Sequence, residues 1–107
     1  MTSRQAYELF YAPQVRDHLR FIERRYYVQI RSSIEEQLQF EPDVEARNRK
    51  PLKRPTSIGA EWEIRFGPDN RFRVFYQVDS ELRQVIILAI GVKHGNSLLI
   101  GGEEVQL

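Results

Sequence analysis

Residues 60–92 read A-E-W-E-I-R-F-G-P-D-N-R-F-R-V-F-Y-Q-V-D-S-E-L-R-Q-V-I-I-L-A-I-G-V, and this stretch decides the fold. Trp62, Ile64 and Phe66 alternate with Glu61, Glu63 and Arg65, the period-two pattern of a strand with one buried face. Gly67-Pro68-Asp69-Asn70 interrupts it with turn-forming residues. Phe72, Val74, Tyr76 and Val78 then share one face, and Arg71, Arg73, Phe75 and Gln77 the other. Asp79-Ser80-Glu81 is a second polar turn, and residues 85–92 are apolar on both faces. The spacing predicts a three-strand meander whose arginines lie opposite its aromatic stripe. A strand apolar on both sides must lie centrally or be covered by the tail or a partner.

Working outward, residues 4–11 read as a first strand with Tyr7, Leu9 and Tyr11 on one face. Pro13 suits a first helical turn, where its missing N–H costs nothing. Val15, Leu19, Ile22, Tyr26, Ile30, Ile34 and Leu38 recur every three or four residues, the mark of one helical face. Pro42 ends the pattern. One helix over 13–40 is long for a small domain, so two helices with a break near residues 24–27 are expected. The tail, residues 94–107, is expected to be flexible, to form a short strand, or to cover the last strand as a flap. The order is strand, helix, helix, strand, strand, strand. This is an α+β fold with two N-terminal helices packed on one face of a four-stranded, largely antiparallel twisted sheet.

A chain of 107 residues is enough for one domain over residues 1–107, with a core burying roughly two-thirds of the unfolded surface. The absence of cysteine excludes disulfides and thiolate metal sites and fits a reducing compartment. No apolar run resembles a signal peptide or a membrane span, so a cytoplasmic protein without a membrane partner is expected. The net charge of +1 conceals an uneven distribution: residues 47–73 carry eight basic and three acidic side chains, while both flanks are mildly acidic. A basic middle suits an anionic partner such as a phosphate backbone, or else a solvated loop. Arg47, Arg49, Lys50, Lys53 and Arg54 are the candidate phosphate-binding residues. No Walker A, H-E-x-x-H, C-x-x-C or G-x-S-x-G motif occurs, so nucleotide hydrolysis, zinc chemistry and serine nucleophile catalysis lack support.

Four pieces in sequence order resemble the RelE/ParE superfamily of type II toxin–antitoxin toxins. They are Q-L-Q-F-E-P (37–42), K-P-L-K-R-P (50–55), W-E-I-R-F with R-F-R-V-F-Y-Q-V (62–66 and 71–78), and V-I-I-L-A-I-G-V-K-H (85–94). The resemblance implies a compact α+β toxin neutralised by a cognate antitoxin, and one of two activities. RelE-like members cleave messenger RNA on the ribosome without metal or other cofactor, and so repress translation. ParE-like members bind DNA gyrase and cleave nothing. By the resemblance, Arg73 is the phosphate-stabilising arginine, Arg65 a second basic residue of the site, and Lys93 the basic residue after Gly91. His94 matches a histidine that some members use as acid or base, work that an ordinary pKa near 6.5 suits. Glu63 stands where the family carries a basic residue, and Leu99 roughly where RelE-like members carry a tyrosine. A metal-free endoribonuclease toxin is the first expectation. A gyrase inhibitor or a degenerate scaffold held by an antitoxin is the alternative.

Overall fold

The computed structural model describes residues 5–54 and 56–106. Residue 4 of the expected first strand, Pro55 of the basic run and Leu107 of the tail lie outside them. The chain runs β1 (Glu8–Tyr11), α1 (Val15–Leu19), a 3-10 turn (Arg24–Tyr26), α2 (Tyr27–Leu38), β2 (Arg49–Pro51), β3 (Trp62–Phe66), β4 (Phe72–Asp79), β5 (Gln84–His94), β6 (Ser97–Ile100) and β7 (Glu103–Val105). The fold is α+β, but among the described residues the sheet has seven strands rather than four, and α2 is the single main helix rather than one of two.

The meander forms as its alternation requires. β3 pairs antiparallel with β4, placing Ile64 opposite Val74 and Arg65 opposite Arg73. Phe72, Val74, Tyr76 and Val78 join the core beneath α2, against Ile30, Ile34 and Leu38. Phe75 lies on the opposite face with Ala60 and Ala89, packed by Leu52, Leu98 and Ile100. Strand β5 is therefore central, and its second apolar face is covered by the loop after β2 and by the tail.

Strand β5 also contains a bulge. Phe75 pairs with Ala89 but Tyr76 pairs with Ile87, leaving Leu88 as the extra residue. The insertion lets Val85 and Ile87 before it, and Ile90 and Val92 after it, serve the same core. On its other edge β5 pairs with β1 in parallel up to Ile87 and with β6 from Gly91 onward. The first helix fills the gap. The Gln14 side-chain amide donates to the Leu88 carbonyl at 3.2 Å, and the Ile90 N–H donates to His18 Nδ1 at 3.4 Å. Two backbone groups at the bulge thus gain side-chain partners. Burial, opposed by Asp17, pushes the His18 pKa down, consistent with a neutral ring that accepts at Nδ1.

The expected first helix is cut to five residues. Its carbonyl at Leu19 accepts from the Tyr27 hydroxyl at 2.5 Å, which ends the helix on the side chain of the next one. Ile22 still reaches the core from the non-helical segment between them, which is why the apolar spacing runs on unbroken. Three short strands were not expected as such or were left open. β2 pairs with β3. β6 and β7 form a hairpin around Gly101-Gly102, whose φ values of 62° and 81° are those of a turn that matches strand twist and favours glycine. Tyr76, fully buried, donates its hydroxyl to the Pro42 carbonyl at 2.7 Å and ties the chain after α2 to the sheet.

Candidate functional site: a basic groove on the open sheet face

Alternation on β3, β4 and β5 sends Glu63, Arg65, Arg73 and Lys93 to the face away from α2. There they line a groove of about 490 Å³. Leu52, Phe75 and Leu98 form its apolar walls, and Asn96, Glu104 and Gln106 approach from the tail. Three cations therefore converge with two carboxylates in one depression.

Glu63 is the centre of this arrangement and is only 8% exposed. Its Oε1 accepts from Arg65 Nε at 2.8 Å, and its Oε2 lies 3.7 Å from Arg73 Nη1. The two arginines differ. The Arg73 side chain is 12% exposed and is anchored further by Nε donating to the Asn70 carbonyl at 2.9 Å. The Arg65 side chain is 45% exposed and has no second anchor of that kind among the described residues. Burial, and then the Arg65 guanidinium across the strand pair, push the Arg73 pKa below the ordinary arginine value, while Glu63 opposes them. Two like charges directly opposite on neighbouring strands repel, and Glu63 is what holds them together. Lys93 forms no ion pair among the described residues. One anchored and one mobile guanidinium fork with an unpaired ammonium suit a phosphate group.

Among the expected site residues, Arg65, Arg73 and Lys93 line this groove and His94 does not, although His94 shares a neighbouring depression with Lys93 and Arg71. His94 follows Lys93 on β5, so it faces the other way. It lines a separate cavity of about 300 Å³ with His18, Tyr26 and Arg71. Leu99 lines that second cavity too. The basic run divides as well. Arg47, Lys53 and Arg54 are exposed, and the last two flank the groove-lining Leu52. Lys50 pairs with Glu45 at 3.5 Å. Arg49 is a strut: its Nε donates to the Val44 carbonyl at 2.6 Å and its Nη1 to the Gln37 carbonyl at 2.8 Å, which ties the last turn of α2 to β2. Sequence reasoning read Glu63 as a departure from a pattern and gave no part to Asn96 or Glu104. The alternation on β3 places Glu63 on the arginine face, so its position in the groove was available from the sequence. Among the described residues no group of three or more metal-ligating side chains converges, and no helix is long and apolar enough to cross a membrane.

No family model and no curated protein matches the chain. A solved structure does. The crystal structure of the toxin–antitoxin complex RelBE2 from Mycobacterium tuberculosis contains a chain that aligns with TM-score 0.61 and 22% identity, covering 82% of this chain and 99% of that one. The likeness is one of fold. It extends over nearly the whole of the other chain, so the two share an architecture rather than a fragment.

Proposed function

We propose that the protein is the toxin half of a type II toxin–antitoxin pair, a single-domain endoribonuclease that grips messenger RNA in the Arg65–Arg73–Lys93 groove. The convergence of these three cations on the open sheet face carries the reading, and a fold shared with a chain of a toxin–antitoxin complex supports it. Cleavage of RNA at a phosphodiester builds negative charge on the phosphorane oxygens. Forked guanidinium groups already in place lower that barrier, because they need not reorganise as the charge develops. The exposed Arg47, Lys53 and Arg54 extend the cationic surface along a strand. A cognate antitoxin is the expected protein partner, the ribosome the expected site of action and the cytoplasm the expected location.

One observation favours a second reading. Glu63 already pairs with both arginines and offsets part of their charge, as suits a protein that binds a partner such as gyrase, or an antitoxin alone, and cuts nothing. Induced expression in growing bacteria, with transcript 5′ ends mapped by primer extension, separates the two. Growth arrest with new ends inside transcripts supports the nuclease. Arrest with a DNA-damage response and no new ends supports gyrase binding. Unimpaired growth defeats the toxin assignment.

A further inference from the structure

We infer that Glu63 is the general base of the cleavage reaction, an assignment that rests on the nuclease reading above. Strand-internal cleavage of RNA needs a group that removes the 2′-hydroxyl proton beside cations that hold the phosphate. With His94 on the far face, the groove offers two carboxylates. Glu104 is exposed and its Oε1 accepts from the Ser97 hydroxyl at 3.1 Å. Glu63 lies between the two guanidinium groups that would hold the phosphate, so a phosphate seated there brings its neighbouring ribose to the same carboxylate.

The unequal anchoring of the arginines supplies the opening move. Arg73 is held by the Asn70 carbonyl and stays in place. Arg65, nearly half exposed, is free to exchange its bond to Glu63 Oε1 for a phosphate oxygen. That exchange uncovers Oε1 at the moment substrate arrives. In the free protein the carboxylate is masked by its two arginines, which reconciles the ion-pair cluster with a reactive site.

Glu63 takes the 2′-hydroxyl proton, the 2′ oxygen bonds to phosphorus, and the bond from phosphorus to the 5′ oxygen breaks. The leaving 5′ oxygen takes a proton from the Lys93 ammonium. The products are a 2′,3′-cyclic phosphate and a 5′-hydroxyl, and solvent restores both side chains. No oxidant, reductant or co-reactant is required. Besides Arg65 and Arg73, Lys50 stands opposite Glu63 in the β2–β3 register but pairs with Glu45.

The test adds purified wild-type protein, E63Q and E63D to a cell-free translation reaction and measures the single-turnover cleavage rate by primer extension. A 2′-O-methylated RNA oligonucleotide measures binding without cleavage. General-base catalysis predicts a loss of roughly 100-fold or more in rate for E63Q, with binding equal to or tighter than wild type because two guanidinium groups are released. E63D, which keeps a carboxylate on a shorter arm, falls between them. Wild-type cleavage that persists in E63Q within about threefold, at unchanged binding, overturns the assignment of Glu63 alone. If E63Q melts early, E63D decides: a rate loss of tenfold or more at an unchanged melting temperature supports the base, and an unchanged rate overturns it. No cleavage by the wild type, on free RNA or in the translating extract, defeats the nuclease reading itself.

Discussion

Arg49 separates a structural reading of the basic run from an electrostatic one. Its charge and position suggest a phosphate contact, yet its side chain is 11% exposed and is held by two backbone carbonyls. Truncation to alanine removes two charge-assisted hydrogen bonds, each worth about 1.5–3 kcal/mol. The Val44 carbonyl lies at an exposed residue where water replaces the lost donor, and the Gln37 carbonyl is half-buried. One bond counted in full and one largely replaced give about 2–3 kcal/mol, roughly a 30- to 160-fold shift in the folding equilibrium. For a domain of this size that lowers the melting temperature by about 10–20 °C. The assay is urea unfolding followed by the fluorescence of Trp62, the one tryptophan, in wild type, R49A and R47A. Arg47 is exposed, so R47A is expected within about 0.5 kcal/mol of wild type. RNA binding is then measured against salt below the R49A transition. Each phosphate contact to a single strand contributes about 0.7 to the slope of log K against log salt. R49A is expected to keep the wild-type slope. A variant as stable as wild type, with a slope reduced by about 0.7, would refute the strut and return Arg49 to the RNA surface.

Three further outcomes are expected. Lys53→Ala and Arg54→Ala each reduce the salt slope of RNA binding by about 0.7 while leaving the urea midpoint unchanged, and an unaltered slope removes that residue from the interface. Gly67 has φ +83°, and a Cβ there lies 2.5 Å from the ring of buried Phe72, so Gly67→Ala costs about 2 kcal/mol or more in urea unfolding; a neutral effect contradicts the packing described. His18 has a folded pKa below its unfolded value, so the unfolded chain takes up the proton first. The stability that neutral His18 contributes is complete above about 6.5 and is lost as pH falls through that value toward the folded pKa. His18→Gln should therefore lose less stability than wild type between about pH 7.5 and about pH 5, and equal losses would place the ring outside the β5 edge.

The meander was legible because its alternation is clean: the side chains of β3 and β4 fall on the faces their spacing dictates, and the arginine face is real. The rest was hidden for identifiable reasons. β2 is extended because the edge of β3 offers it partners, not because R-K-P has strand propensity. The truncated first helix keeps the apolar rhythm of a longer one, since Ile22 enters the core from a non-helical turn. The bulge at Leu88 leaves no signature in a run that is apolar throughout. Within the site, Arg65, Arg73 and Lys93 follow from face and register, whereas His94, the next residue on β5, lies outside the groove and meets Lys93 in a depression at the strand's end beside Arg71. Arg49 looked like its basic neighbours because charge reads from sequence and a carbonyl partner twelve residues away does not.

Arg73 is the half-buried, doubly anchored cation of the groove. Wild-type protein and Arg73→Ala are expressed to equal levels in growing bacteria, with growth followed and transcript ends mapped in the same cultures, and with folding of both confirmed by thermal melting. Growth arrest and new transcript ends from the wild type, with neither from folded Arg73→Ala, is the predicted result. Arrest and cleavage undiminished in Arg73→Ala would contradict it.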